Sequence, residues 1–144
     1  MYSIRTMNID DYDAVIKLMQ QTPGISLRDA DSQLNTARYL ERNPGHSFVA
    51  LSDQNIVGCI MSGHDGRRGY VQHLVVHADY RKQGIAGALL RRCLAALAEI
   101  GIYKSHIDVL KDNLSGAAYW RNQGWQLRSD IDRYSFICSD NDNI

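Results

Sequence analysis

The sequence predicts an α/β (α+β) fold in which a mixed sheet is flanked by helices. Two patterns carry that expectation. The stretches "SFVALS", "NIVGCIMSG" and "GYVQHLVVH" are apolar and β-branched, and only "DQ" and "HDGRR" separate them; this is the pattern of three antiparallel strands joined by hairpins. Directly after them Ile85, Leu89, Cys93, Leu97 and Ile100 make one apolar helical stripe that ends at Gly101, and "KSHIDVL" returns to a strand pattern. A strand, helix, strand crossover is almost always right-handed and returns parallel. The strands at 70–77 and 104–110 are therefore expected side by side and parallel.

The remaining elements follow in chain order. "YSIRT" reads as a short first strand, and Asp10 is placed to cap a helix whose Tyr12, Val15, Ile16 and Met19 share one face. "TPGISLRDAD" interrupts that periodicity, and a second helix is expected from Ser32 to Arg42, stopped by Pro44 and Gly45. A short helix from Leu114 to Asn122 with Gly124 at its end, and a last strand near "DRYSFIC", complete the layout.

A chain of 144 residues is the size of one domain, long enough to bury roughly two thirds of its unfolded surface. Residues 1–138 are read as that domain and 139–144 as a polar tail. Sixteen basic side chains balance sixteen acidic ones, which argues against the broad positive field that nucleic-acid binding needs. Cys59, Cys93 and Cys138 are odd in number, widely spaced and set in apolar runs; they suit buried free thiols better than disulfides or a metal site. The N-terminus has no apolar signal region and no stretch is long enough to cross a bilayer. The expectation is a soluble, cytoplasmic protein with no membrane partner.

Chemistry concentrates in "ADYRKQGIAGALL", where Arg81, Lys82, Gly84 and Gly87 gather at the junction of a strand and a helix. A helix N-terminus has unpaired backbone N–H groups and partial positive charge, and glycine lets an anion approach the main chain. The turn also lies at the carboxyl end of a strand, where open α/β sheets place their ligands. The cluster is thus suited to a phosphate group, although neither GxxxxGK[ST] nor GxGxxG is present to indicate a nucleoside triphosphate or a dinucleotide.

Two wider blocks, "HLVVHADYRKQGIAGALL" and "DNLSGAAYWRNQGW", resemble the GNAT superfamily of acetyl-CoA-dependent N-acetyltransferases over nearly the whole chain. Arg81, Gly84 and Ala86 match the family's R/Q-x-x-G-x-G/A pattern behind the hydrophobic "LVV", and Asn113 lies eleven residues before the G-W pair Gly124 and Trp125. The resemblance implies a mostly antiparallel sheet of about six to seven strands with a central, splayed parallel pair, and about four helices. It implies that the main chain of Lys82, Gln83, Gly84, Ile85, Ala86 and Gly87 wraps the cofactor pyrophosphate beside Arg81. It further implies that Leu74, Val75 and Val76 bind the pantetheine arm, that Val76 N–H points at the thioester carbonyl, and that Asn113 touches the arm from a neighbouring strand. The reaction implied is direct attack of a primary amine on acetyl-CoA, without a metal. A noncatalytic acyl-CoA-binding module is the alternative, and assembly as a homodimer stays open.

A protonated amine is no nucleophile, so a proton acceptor is needed. Many relatives use a glutamate on the strand before the turn; here Gln72 and His73 stand there. His73 is a candidate base because histidine titrates near neutral pH, although strict alternation sets it opposite Gln72 and Leu74 unless a bulge intervenes. A packed or strand-end histidine is an equal reading. Asp108, five residues before Asn113, falls where some ribosomal-protein acetyltransferases place a catalytic glutamate, and is equally read as a solvated or ion-paired carboxylate. The family's acidic tyrosine is replaced by Trp120, whose indole N–H is no acid. Tyr119 beside it is the substitute, with Tyr134 behind it, and packing is the simpler role for both.

The resemblance gives acceptor recognition to the first two helices, the loop "QQTPGISLRDADSQ" and the last hairpin. Asp29, Asp31 and Glu41 could attract a cationic amine or simply face water. "GHDGRRG" could border the acceptor cleft or be only a turn. A small amine, an amino acid and a protein N-terminus all remain open as acceptors.

Overall fold

The β-branched runs form the centre of the sheet. The computed structural model describes residues 1–144, with β1 (Ser3–Thr6), β2 (Phe48–Ser52), β3 (Asn55–His64), β4 (Gly69–Val76) and β5 (Ser105–His106). Spatial order equals chain order, β1-β2-β3-β4-β5. The first four strands pair antiparallel, and β4 runs parallel to β5 through Gly69 opposite Ser105 and Tyr70 opposite His106. Asp53 and Gln54 turn the β2–β3 hairpin with φ of 49° and 67°, the doubly left-handed backbone of a two-residue loop that follows sheet twist.

Four helices accompany the sheet: α1 (Tyr12–Gln20), α2 (Gln33–Arg42), α3 (Ile85–Glu99) and α4 (Leu114–Asn122). One face of the sheet buries Val49, Cys59, Met61 and Val75 against Val15, Leu18 and Met19 of α1, with Tyr39 and Leu40 of α2 packed alongside. α3 lies on the other face through Ile85, Leu89, Cys93 and Leu97, each no more than 1% exposed. Gly58 makes that approach possible, because a Cβ there would meet the side chains of Ile85 and Leu89 at 3.3 Å.

Several expectations are corrected. The sheet has five strands rather than six or seven, and its parallel pair is at an edge instead of the centre. The "KSHIDVL" strand contracts to Ser105–His106, and "DRYSFIC" forms no strand. An alternating segment becomes a strand only where pairing buries one of its faces; Tyr134 and Phe136 are 90% and 91% exposed, so that gain is missing. Ile100 belongs to no buried stripe, since it follows the last helical residue and Gly101 turns the chain at φ 84°. Asn8 caps the N-terminal turn in place of Asp10, accepting the Asp10 N–H while Asp11 completes the capping box. Cys59 and Cys93 are buried free thiols, but Cys138 is exposed.

The chain divides into two compact units, residues 1–107 and 108–144. The first holds the sheet and α1 to α3, and the second holds α4. Within the second, Trp120 is buried and meets Trp125 edge-on with ring centroids 4.8 Å apart. No helix of either unit is long and apolar enough to cross a membrane.

Candidate active site

β4 delivers the chain through a short 3-10 turn, Ala78–Tyr80, into Arg81–Gly84 and then α3. Lys82 and Gly84 both have positive φ, 62° and 81°. The first hydrogen bond entering α3 runs from Ala88 N–H to Gly84 O at 3.0 Å. No backbone acceptor serves the amides of residues 83–87, the condition under which a helix start attracts an anion. Arg81 donates through Nε to Val76 O at 3.2 Å, which fixes its guanidinium beside the strand end. Ile85 is 1% exposed, so its side chain belongs to the core under the sheet and not to a ligand. Around Gly84 a Cβ would have space, its nearest neighbour being Tyr2 Oη at 4.0 Å; the need for glycine there is conformational.

The strand side of the site is irregular. β3 and β4 pair Met61 with Gln72 and Cys59 with Val75, so Ile60 alone faces two residues, His73 and Leu74. This is a β-bulge, and His73 takes the extra turn with φ 52°. Gln72 and Val75 consequently lie opposite Met61 and Cys59, which share one core cluster; the alternation expected from Gln72 through Val75 does not hold. Past Tyr70, β4 has no strand partner on its β5 side. His77 N–H is bonded to Val57 O of β3 at 2.8 Å, and successive strand amides point to opposite edges. The Val76 N–H therefore points away from β3, toward the side without a strand partner.

His73 meets Asp31, a residue 42 positions away in sequence, with Nε2 and Oδ1 2.8 Å apart. Both side chains are largely withdrawn from solvent, at 15% and 19% exposure. Asp31 ends the 3-10 turn Asp29–Asp31 just before Ser32, the N-cap of α2. Its second oxygen accepts the Arg28 N–H at 2.9 Å, and its carbonyl accepts the Tyr12 hydroxyl of α1 at 2.7 Å. Burial would push the Asp31 carboxyl up, but the hydrogen bonds from His73 and the Arg28 amide outweigh it and hold the group below the ordinary carboxylate range. The sequence marks Asp31 as acidic, and no local signal ties it to His73.

The other predicted residues are in the second unit. Asp108 is exposed and paired with Arg133 at 3.3 Å. Asn113 is on no strand; it is the N-cap of α4, its side chain accepting the Gly116 N–H at 3.0 Å. Tyr119 packs edge-on against Trp120, with ring centroids 5.3 Å apart. No group of three or more His, Cys, Asp or Glu side chains is arranged to hold a metal ion.

A model of the Acetyltransferase (GNAT) family matches residues 12–125, a span that contains the glycine turn, the bulged strand and α4. The chain belongs to the GNAT acetyltransferase family. An acetyltransferase of Pectobacterium atrosepticum is 37% identical over 110 residues, which cover 76% of this chain and 77% of that protein. In fold, this GNAT chain superposes on the PaiA N-acetyltransferase of Thermoplasma acidophilum, solved in complex with coenzyme A, with a TM-score of 0.80, 18% identity, and coverage of 92% and 93%. It also superposes on an aminoglycoside N-acetyltransferase in complex with CoA, with a TM-score of 0.75, 18% identity, and 96% of each chain covered. This GNAT protein is an acyltransferase, and its family acts on amine acceptors.

Proposed function

We propose that the protein transfers the acetyl group of acetyl-CoA directly to a primary amine. The observation that carries this reading is the joint geometry of β4 and the turn: a run of unbonded amides from 83 to 87 beside Arg81 and Lys82, at the end of a strand whose Val76 N–H points to an edge without a partner strand. The turn suits the pyrophosphate. Leu74, Val75 and Val76 offer main-chain groups to the pantetheine arm, and Val76 N–H suits the oxyanion of the tetrahedral adduct.

The chemistry then needs one proton acceptor. His73 accepts a proton from the ammonium form of the acceptor, the freed amine forms a C–N bond with the thioester carbon, and the C–S bond breaks with its electron pair on sulfur. A CoA thiolate is a tolerable leaving group, because a thiol titrates near pH 8.5, so a dedicated acid is not essential; Tyr119 is the candidate if one acts. Asp108 is the second candidate for the base. The balanced outcome is an N-acetyl amine, CoA thiol and one proton.

Calorimetric titration with acetyl-CoA, CoA and ATP at two salt concentrations tests the cofactor. Selective acetyl-CoA binding is the expected result, and equal affinity for ATP with a steep salt dependence would overturn the reading. Thiol release from acetyl-CoA is then followed with an aminoglycoside, free alanine and a peptide with an N-terminal alanine as acceptors. With an acceptor that turns over, His73→Gln is expected to lower turnover and remove the pH-rate limb in the histidine range. An unchanged profile moves the role to Asp108 or to water.

A further inference from the structure

We infer that Asp31 is a positioning residue for catalysis: it holds His73 in the tautomer that carries its proton on Nε2, which leaves the Nδ1 lone pair as the acceptor for the amine proton. The inference rests on the reading of His73 as the base and extends it to a second residue, contributed by the segment that leads into α2.

The donor and acceptor inventory fixes the direction of the hydrogen bond. An ionised carboxylate only accepts, and a neutral imidazole donates from one nitrogen and accepts at the other. With Oδ1 of Asp31 at 2.8 Å from Nε2, the Nε2 position must hold the hydrogen. The Nδ1 atom has no hydrogen-bond partner within the protein. Its lone pair is therefore the one available for a proton.

The carboxylate is itself held from several sides. Arg28 N–H donates to Oδ2 at 2.9 Å, and the Asp31 carbonyl accepts Tyr12 Oη at 2.7 Å and Thr36 Oγ1 at 3.5 Å. On the histidine side, the left-handed backbone at φ 52° within the bulge sets the direction in which the ring leaves β4, and the Cys59 thiol meets His73 O at 3.5 Å. A non-glycine residue in that region is strained and persists where surrounding contacts over-determine it.

The groups that face the pair are few. Tyr12 from α1 and Cys59 from β3 are uncharged near neutral pH; burial raises the tyrosine's titration further, with the nearby Asp31 and Asp13 charges adding to it, and pushes the cysteine up to about 12. Arg28 contributes its main-chain amide, and Thr36 of α2 is uncharged. The carboxylate of Asp31 is thus the charged hydrogen-bond partner of the imidazole. When Nδ1 takes the proton from the ammonium group, the imidazolium that results is stabilised by the adjacent carboxylate. That proton then leaves to solvent or to the departing CoA sulfur, which restores the neutral Nε2–H ring.

Long-range 1H–15N correlation spectra of histidine-labelled protein saturated with CoA test the tautomer. The expected result is a predominant Nε2–H form for neutral His73, becoming a near-equal mixture in Asp31→Asn, whose side-chain amide can either donate or accept. A predominant Nδ1–H form in the unaltered protein would overturn the inference, and that reading requires no variant to fold. In thiol-release assays, Asp31→Asn should lower kcat at least tenfold, leave KM for acetyl-CoA within twofold, and move the acid limb of the pH-rate profile to lower pH. Asp31→Glu should recover part of kcat. In the His73→Gln background, Asp31→Asn should have no further effect on kcat, as for residues acting as a unit. Equal losses in both backgrounds would overturn the inference. If His73→Gln leaves the profile unchanged, the base assignment fails; if it removes the limb and Asp31→Asn does not move it, only the role of Asp31 fails.

Discussion

Gly84 shows how one backbone angle carries a binding proposal. Its φ of 81° is paired with open space where a Cβ would stand, so a side chain is disfavoured by strain of about 1–2 kcal/mol rather than by a clash. Gly84→Glu adds a negative charge where phosphate oxygens would approach, and is expected to weaken CoA binding more than tenfold by calorimetry; Gly84→Ala, bearing the strain without the charge, should weaken it less. An unchanged affinity in Gly84→Glu would remove the turn from the cofactor site. The turn at Gly84 was legible in sequence because the residues that form it are neighbours in the chain. His73 was legible as a titratable group near the strand end, but its partner was not: Asp31 is 42 residues away, and only packing of the turn before α2 against the bulge joins them.

At the scale of elements, the start of α1 depends on a buried acid. Asp11 is 6% exposed and receives two 2.8 Å hydrogen bonds from Arg5 and one of 3.0 Å from Asn8 N–H. The Arg5 hydrogen bonds lower its titration most; burial opposes them, and the Asn8 amide and the Arg5 charge add to the lowering. A carboxyl with a depressed folded-state pKa contributes stability that is present above its unfolded value, near 3.9, and is lost as pH falls through the folded value. Asp11→Asn should therefore cost about 1–3 kcal/mol at neutral pH, and the gap from the unaltered protein should narrow below about pH 4 in urea titrations. Arg5 is half-exposed, which keeps the charge component small. The sequence pointed to a cap one residue pair away from the true one, because Asn8, Asp10 and Asp11 are all competent caps and only the 3-10 entry to α1 selects among them. Strand length proved harder to read. "DRYSFIC" alternates apolar and polar positions, yet pairing partners decide strands, and a pattern does not name its partner.

The molecule as a whole keeps its reactive sulfur unevenly protected. Burial pushes the thiols of Cys59 and Cys93 up to about 12 and about 11, whereas Cys138 lies exposed in the second unit. A thiol reagent at pH 8 should titrate a single cysteine rapidly in the native protein and all three after guanidine unfolding; rapid reaction of more than one would show that the sheet core opens. The class of the fold, its hairpins and its crossover were visible in hydrophobic period alone. The edge position of the parallel pair was not, since it depends on which later segments join the sheet.

The β2–β3 turn also bears on how fast the chain finds its fold. β2, β3 and β4 are consecutive in sequence and adjacent in space, so their contacts close the shortest loops in the sheet, and local contacts of this kind favour early formation during refolding. Asp53 and Gln54 occupy left-handed positions for which Asn-Gly is the preferred pair. Replacing them together, Asp53→Asn with Gln54→Gly, should stabilise the protein by about 0.5–1 kcal/mol. In stopped-flow chevrons that gain should be read mainly as a faster folding limb with the unfolding limb nearly unmoved, which would place this hairpin in the folding nucleus.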